Sequence, residues 1–316
     1  MKLEHLKSLK KSELHAHLNG SISPKLLYEL ALSTQTLNAK ELGLIQAPPS
    51  DWDSCFALFG LVYKVVRGPQ ILYRCTQAVI EKFLDDGVSH LELRTTLKED
   101  LEHGISWDSY LDTILQATDD FLNSPQNGGQ ITVKWIISLD RSKGLAYVEK
   151  SMATILRHHK KSPYIVGTDF CGDPYIGHFK NFERTFQHAR QEGLKTTVHF
   201  AEVPRFEDLW EILDFSPDRL GHACCLNKGL FEKILEKQIP VEICFTSNLL
   251  TGVVCAPEVH VVKAFYKARH PFVICTDDFG IFHSTINDEY RKVAAILNLQ
   301  VAEVEDLAAR SLAHTF

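Results

Sequence analysis

The feature that most constrains this chain is an eightfold alternation of short apolar segments with longer segments of helical periodicity. The apolar segments are rich in Val, Ile, Leu and Phe, as expected of parallel strands that are covered on both faces. We predict strands at 13–17, 90–95, 132–139, 165–170, 196–200, 219–222, 240–244 and 272–276. The spacing of apolar residues and the Pro and Gly positions predict helices at 23–30, 68–86, 107–121, 179–191, 228–237 and 258–268.

Eight strands that alternate with helices in 316 residues predict an α/β fold, a closed (β/α)₈ TIM barrel. A doubly wound open sheet is the alternative. No low-complexity tract or Pro/Gly/Ser-rich linker marks a boundary, so we expect one domain over residues 1–316. The stretch from 20 to 87 is too long for one crossover, and we therefore expect extra helices between strands 1 and 2, over the barrel mouth.

Composition narrows the classes of partner. The net charge is −6 with both signs interspersed, which disfavours a nucleic-acid or anionic-membrane surface. The sequence has neither a signal peptide pattern nor an apolar run of about 20 residues. Its eight cysteines include no Cys-x-x-Cys pair, and Cys244 and Cys275 lie inside apolar segments, so we expect a reduced, cytosolic chain. We expect a cytosolic monomer that binds a small molecule, with no nucleic-acid or membrane partner.

Unusual polar residues fall at or just after the C-terminal ends of the predicted strands. In a barrel these ends form one face, where the active sites of this architecture lie. In chain order the residues are His15, His17, Asp140, Gly172, Asp173, His199, Glu202, His222, Ser247, Asn248, Asp277 and Asp278. A random scatter of the 15 histidines would not follow the strand ends. The sequence therefore predicts an active site at this face.

The histidines suggest a metal site. His15 and His17 are two positions apart on a strand, so both rings point the same way, into the barrel mouth. His199 and one of the two carboxylates Asp277 or Asp278 could complete a set of nitrogen and oxygen ligands suited to zinc. A bound zinc ion lowers the pKa of water to about 7, which yields a hydroxide nucleophile at neutral pH.

Three further residues fit a metal-assisted hydrolysis. Glu202 lies beyond a strand end, where its carboxyl could act as general acid/base without being a ligand. His222 could orient the water or stabilise charge as it develops. Gly172 allows close backbone approach to a flat ligand. The structural alternatives are a solvated loop carboxylate for Glu202 and an ordinary turn glycine for Gly172.

Six segments together resemble the adenosine deaminase family of the metal-dependent amidohydrolases. They are SELHAHLNG at 12–20, DFCGD at 169–173, VHFAE at 198–202, RLGH at 219–222, TSN at 246–248 and CTDD at 275–278. They occur in family order and span nearly the whole chain. The resemblance implies a purine deaminase, a hydrolase of carbon–nitrogen bonds in cyclic amidines. It also implies one zinc ion per chain, bound by His15, His17, His199 and Asp277.

The same resemblance implies roles at the purine ring. Glu202 would protonate N1 and make C6 electrophilic, while His222 would assist the metal hydroxide. Asp278 would hydrogen-bond N7, and the backbone of Gly172 would contact the ring. Hydroxide adds to C6, and the exocyclic amine leaves to give a 6-oxopurine.

Asn19 indicates a branch within the family. Adenosine deaminases carry an aspartate there that reads the ribose hydroxyl; an aspartate would repel a 5′-phosphate, whereas asparagine does not. The chain resembles the branch that converts N6-methyl-AMP and related N6-substituted purine nucleoside monophosphates to IMP and an amine. Segments 91–96, 138–141 and 241–248 also resemble that branch. The alternatives are an adenosine or adenine deaminase and, as a different class, a non-catalytic purine-binding relative.

The expected substrate contacts include two departures from that branch. The contacts are His17, Asn19, Tyr63, Thr96, Leu97, Lys98, Glu99, Asp140, Gly172, Glu202 and Asp278. The branch usually has Pro and two basic residues after Thr96, where this chain has Leu97, Lys98 and Glu99, and Tyr63 replaces a histidine of the helical lid. Lys98 alone could pair with phosphate as a point charge. The family pattern also continues with a final helix beyond residue 316, so either the chain is a shortened form or the barrel closes less completely.

Overall fold

The computed structural model describes residues 2–316, and within them eight parallel strands pair in sequential order. The strands are β1 (Lys11–His17), β2 (Val88–Thr96), β3 (Thr132–Asp140), β4 (Ile165–Cys171), β5 (Lys195–Phe200), β6 (Arg219–His222), β7 (Val241–Ile243) and β8 (Phe272–Ile274). A doubly wound sheet would reverse its strand order at the middle. The sequential order excludes that alternative and confirms the (β/α)₈ prediction.

Helices connect the strands on the outside of the barrel. They are α1 (Leu3–Ser8), α2 (Pro24–Thr34), α3 (Ala39–Leu44), α4 (Trp52–Val65), α5 (Pro69–Asp85), α6 (Trp107–Leu122), α7 (Leu145–His159), α8 (Glu183–Gln191), α9 (Leu209–Phe215), α10 (Lys228–Lys237), α11 (Phe245–Leu250), α12 (Val262–Lys267), α13 (Phe279–Phe282), α14 (Ile286–Leu297) and α15 (Val301–Ser311). In residues 2–316, no helix combines the length and apolar character that a membrane crossing requires.

Two predicted helices are interrupted in the structure. The predicted helix at 179–191 is a 3₁₀ turn, Phe179–Asn181, followed by α8. The predicted helix at 258–268 is likewise a 3₁₀ turn, Pro257–Val259, followed by α12. Apolar spacing does not separate these cases because the two kinds of helix differ only slightly in their number of residues per turn.

The insertion between β1 and β2 carries extra helices, as the sequence predicts. Helices α2, α3 and α4 precede the crossover helix α5. Helix α4 begins at a capping box formed by Asp51 and Ser54, and it buries one apolar face that includes Leu58, Leu61 and Val65. Its aromatic residues face the barrel mouth.

The barrel closes between β8 and β1 through a narrow junction. Within residues 2–316 these strands share one isolated bridge, Ala16 to Asp277, and His17 N–H donates to the Asp277 carbonyl at 2.9 Å. Below the bridge the Glu13 carboxylate accepts the Thr276 N–H at 2.9 Å. Burial raises the pKa of Glu13 to about 7. The Glu13 side chain therefore replaces part of the backbone hydrogen bonding that is missing between β8 and β1. The bridge brings together His17 and Asp277, which are two of the predicted metal ligands.

The loop after β1 packs tightly against α13. The Gly280 N–H donates to the Gly20 carbonyl at 2.9 Å. A Cβ added at Gly280 would lie 2.0 Å from the carbonyl oxygen of Ile22. The absence of a side chain at Gly280 is thus what allows the two backbones to meet.

We predict that Gly280→Ala destabilises the fold by about 1–3 kcal/mol because the new methyl overlaps backbone atoms that cannot move freely. The matched control is Gly43→Ala in α3, where an added Cβ meets nothing within 4 Å. That change should be neutral or stabilising by up to about 1 kcal/mol, since alanine is the better helix former. Urea unfolding of the three proteins measures both effects, and equal midpoints would contradict the packing argument.

Candidate active site

Four residues at the C-terminal ends of the strands converge on one point. His15, His17, His199 and Asp277 each offer one ligand atom, and these atoms lie within 4.8 Å of one another. His17 Nε2 lies 3.2 Å from His199 Nε2 and 3.4 Å from Asp277 Oδ1. His15 Nε2 is buried and has no hydrogen-bond partner within residues 2–316. Three imidazole nitrogens and one carboxylate oxygen form a donor set that suits zinc.

Buried carboxylates orient two of these rings. His15 Nδ1 lies 2.7 Å from Glu242 Oε2, and His199 Nδ1 lies 3.0 Å from Asp169 Oδ1. Because an ionised carboxylate only accepts, each Nδ1 carries the proton of its ring. The Nε2 lone pairs of His15 and His199 therefore face the common point, as metal ligation requires.

Two arginines stabilise the carboxylate behind His15. The Glu242 carboxylate accepts from Arg94 at 2.8 Å and from Arg219 at 2.7 Å, and all three side chains are buried. Burial alone would raise the pKa of Glu242, but Arg94 and Arg219 hold it well below its usual range. Sequence reasoning assigned no role to these three residues. The available signal was charge inside otherwise apolar strands, in LELR at 91–94 and VEI at 241–243.

Glu202 and His222 lie beside the cluster. Burial raises the pKa of Glu202 to about 7. The nearby charge of His199 lowers this pKa, and the charge of Asp277 raises it. His222 Nε2 lies 3.7 Å from Glu202 Oε1, and burial lowers the pKa of His222 well below its usual value. At neutral pH Glu202 can thus hold and release a proton, which is what general acid/base catalysis requires.

Asp278 has a different electrostatic character from its neighbour Asp277. Burial and the adjacent Asp277 charge raise the pKa of Asp278 well above its usual range. A carboxyl kept neutral in this way can donate a hydrogen bond. Its Oδ1 is buried without a hydrogen-bond partner in the described chain, and a Cβ at Gly20 would lie 1.7 Å from that atom.

A cavity of about 350 Å³ opens above the cluster, within the size range of small-molecule sites. The structure brings eleven residues of the predicted site to its wall. They are His17, Asn19, Tyr63, Thr96, Lys98, Asp140, Gly172, His199, Glu202, Asp277 and Asp278. His15 and His222 are fully buried and do not line it.

Two predicted substrate contacts, Leu97 and Glu99, do not line this cavity. They line an adjoining outer depression, which shares Thr96, Lys98, Asp140 and Lys143 with the cavity wall. Strand β2 ends at Thr96, so the alternation of side chains along a strand does not extend to the residues after it. Thr96 and Lys98 line both the cavity and the depression, while Leu97 is buried and Glu99 is exposed.

An aromatic stripe on α4 forms one wall of the cavity. Trp52, Phe56, Phe59 and Tyr63 recur at intervals of three or four residues, so they share one helix face. Successive ring centroids lie 5.3, 6.4 and 6.4 Å apart. Only Tyr63 was predicted. The helical spacing of the other three was a signal, but a core stripe has the same spacing.

Two lysines line the end of the cavity near β2 and β3. Lys98 Nζ lies 4.1 Å from the centroid of the Tyr63 ring, and burial lowers the pKa of Lys98. Lys143 comes from the 3₁₀ turn Arg141–Lys143, which is fixed because the Asp140 carboxylate accepts the Ser142 N–H at 2.9 Å. Neither ammonium group pairs with a carboxylate within residues 2–316. Lys143 was missed, since no pattern links it to the other site residues.

Comparison of the sequence with those of known proteins points to one enzyme family. The family model described as adenosine deaminase matches residues 10–316. The chain is 34% identical to the N6-mAMP deaminase of Arabidopsis thaliana, over 99% of this chain and 94% of that protein. It is 32% identical to the N6-methyl-AMP deaminase of Homo sapiens, over 100% of this chain and 91% of that protein.

Comparison with solved structures points to the same family. The structure of Arabidopsis ADAL complexed with GMP superposes with a TM-score of 0.90 at 33% identity, covering 99% of this chain and 94% of that one. The ADAL–IMP complex gives 0.91 at 32% identity, with coverage of 99% and 94%. An adenosine deaminase from Xanthomonas campestris with bound Zn, at 15% identity and a TM-score of 0.64, shares the fold over 98% of this chain and 67% of that one. This chain belongs to the adenosine deaminase family.

Proposed function

We propose that this chain is a zinc-dependent hydrolase that converts N6-methyl-AMP and related N6-substituted purine nucleoside monophosphates to IMP and an amine. The observation that carries the proposal is the arrangement of the cavity. Glu202, a partly buried acid whose pKa is raised to about 7, lies beside three histidines and an aspartate, and two unpaired lysines lie at another part of the wall. The relatives named N6-methyl-AMP deaminase support the same substrate class.

We assign one zinc ion per chain to His15, His17, His199 and Asp277. Two observations support this ligand set. Hydrogen bonds at Nδ1 turn the Nε2 lone pairs of His15 and His199 toward the common point, and His15 Nε2 has no hydrogen-bond partner within residues 2–316. When bound, the ion supplies Lewis-acid chemistry that brings the pKa of water down to about 7. Related folds with bound Zn are consistent with the assignment.

The acidic residues bind and polarise the purine in this proposal. Glu202 gives a proton to N1, which withdraws electrons from C6 and prepares it for addition of the water oxygen. Asp278, held neutral by burial and by Asp277, donates a hydrogen bond to N7. The backbone of Gly172 contacts the ring, and His222 stabilises charge on the added oxygen. As the water oxygen adds to C6, one of its protons restores the proton that Glu202 gave to N1. The remaining proton passes from the added oxygen to the exocyclic nitrogen, the bond from C6 to that nitrogen breaks, and the neutral amine leaves a 6-oxopurine that keeps its proton on N1.

The strand order indicates how the nucleotide lies. Glu202 follows β5 and Asp278 follows β8, so the N1-to-N7 edge of the purine faces that half of the barrel. Lys98 and Lys143 follow β2 and β3, and we assign the 5′-phosphate to them. A phosphate monoester carries a charge of about −1.5 to −2 at neutral pH, which two ammonium groups balance. Asn19 adds no opposing charge.

This charge balance favours a nucleotide over the alternatives. Adenosine or adenine would leave both lysines without an anionic partner. A non-catalytic relative would not need Glu202 held near its protonation midpoint at neutral pH. We further propose that the chain is a monomer and that it lies in the cytosol. The eight free thiols support the cytosolic location, since a reducing compartment keeps thiols free.

The substrate assignment predicts a strong preference for the phosphate. N6-methyl-AMP should exceed N6-methyladenosine in kcat/KM by about 10²-fold or more, because each charged hydrogen bond contributes about 1.5–3 kcal/mol. Purified zinc-loaded protein should be given N6-methyl-AMP, AMP, N6-methyladenosine and adenosine, and 6-oxopurine formation followed by absorbance. Preference for unphosphorylated adenosine would overturn the assignment.

The role of Glu202 predicts that Glu202→Gln lowers kcat by about 10²–10⁴-fold, since the amide cannot give N1 a proton, with zinc content unchanged. In the unaltered enzyme, kcat/KM should fall as the pH rises past about 7, where Glu202 loses its proton. Glu207→Gln is the matched control, because Glu207 lies on the same loop with a side chain 62% exposed. Full activity in Glu202→Gln would refute the mechanism.

A further inference from the structure

A line of hydrogen bonds runs from a backbone amide to His222. The Val262 N–H donates to His260 Nδ1 at 3.1 Å, and His260 Nε2 lies 3.2 Å from Asn248 Oδ1. Asn248 Nδ2 lies 3.1 Å from His222 Nδ1. All four residues are at most 1% exposed, so water does not compete for these bonds.

The direction of every bond in this line follows from its first member. A backbone N–H can only donate, so His260 Nδ1 accepts and the ring carries its proton on Nε2. Burial lowers the pKa of His260 to about 4, which keeps the ring neutral at pH 7. Its Nε2–H donates to Asn248 Oδ1, so the Asn248 amide N–H₂ faces His222. The opposite amide orientation would bring two donors together.

The packing around His260 keeps the line in register. The Phe245 ring lies on His260 with centroids 4.6 Å apart, which restricts rotation of the imidazole. Asn248 is on α11, and its backbone N–H donates to the Cys244 carbonyl at 3.0 Å. Ring packing therefore holds His260, and the helix backbone holds Asn248.

The consequence concerns the second nitrogen of His222. Because Nδ1 accepts from Asn248, neutral His222 carries its proton on Nε2, the atom that faces the cluster and is buried without a partner. His222, Cys244, His15 and Asp277 also offer atoms within 4.8 Å of one another, so geometry alone permits His222 as a ligand. A protonated nitrogen has no lone pair for a metal.

We propose that Asn248 and His260 are positioning residues that hold His222 as its Nε2–H tautomer, so that His222 donates a hydrogen bond to the oxygen added at purine C6 and stays out of the metal ligand set. The role at C6 rests on the proposed function. A donor aimed at charge that develops during addition stabilises the transition state more than the bound substrate.

Asn248→Asp tests the proposal because it reverses which group donates the hydrogen bond between residue 248 and His222 Nδ1. A carboxylate accepts from His222 Nδ1 and leaves Nε2 unprotonated, so kcat should fall by about 10²-fold while KM changes by less than about threefold. In ¹⁵N-histidine NMR of the zinc-loaded protein, the unaltered enzyme should show His222 protonated on Nε2, and Asn248→Asp should show it protonated on Nδ1.

A pair of variants at His260 gives a second measurement in case Asn248→Asp does not fold. His260→Leu removes the donor to Asn248 and should lower kcat by about tenfold. His260→Gln supplies an amide N–H in its place and should recover most of that loss. Lys263→Gln, an exposed neighbour, is the control for general disturbance of this segment.

The NMR measurement separates this inference from the proposed function, because it reads the tautomer without turnover. If the unaltered protein carries the His222 proton on Nε2 but does not convert N6-methyl-AMP, only the substrate assignment is contradicted. Two results would overturn the positioning role of Asn248 and His260. One is a His222 protonated on Nδ1 in the unaltered protein, and the other is an unchanged kcat in Asn248→Asp and His260→Leu.

Discussion

The geometry of the site depends on buried hydrogen bonds between carboxylates and imidazole Nδ1 atoms. Glu242 fixes His15 and Asp169 fixes His199, and each bond turns an Nε2 lone pair toward the same point. Burying a carboxylate is costly unless it is paired, and Arg94 and Arg219 offset that cost for Glu242. The charged interior of the barrel is therefore a condition for the ligand cluster.

The same rule gives different histidines different roles. A partner that accepts a hydrogen bond from Nδ1 leaves the lone pair of the ring on Nε2, as at His15 and His199. A partner that donates at Nδ1 makes Nε2 a hydrogen-bond donor, as we infer for His222 beside Asn248. Similarly, Asp277 and Asp278 are adjacent, yet the histidines around Asp277 hold its pKa well below its usual range, while burial and the Asp277 charge raise the pKa of Asp278. Neighbouring groups of one chemical type thus acquire separate functions.

The sequence predicts the parts of this site that depend on strand position. Polar residues at the ends of apolar segments are recognisable, and closure of the barrel brings those ends to one face. The ligand cluster and Glu202 could be located in this way. The family resemblance added a chemical role for each, which spacing alone does not supply.

Other contacts depend on three-dimensional packing that the sequence pattern does not encode. Asn248 and His260 are 12 positions apart, and their contact depends on how the segment after β7 folds back. Lys143 reaches the cavity because Asp140 fixes a short turn. Leu97 and Glu99 are predicted as site residues together with Thr96 and Lys98, but they line an adjoining depression that shares Thr96 and Lys98 with the cavity.

The most direct test of the account is a zinc-loaded crystal structure with anomalous diffraction recorded at the zinc edge. We expect one peak per chain, at about 2.0–2.2 Å from Nε2 of His15, His17 and His199 and from an Asp277 carboxylate oxygen. His222 Nε2 should lie outside the coordination shell. A zinc ion bound instead through His222 and Cys244, or no peak at the cluster, would contradict the account.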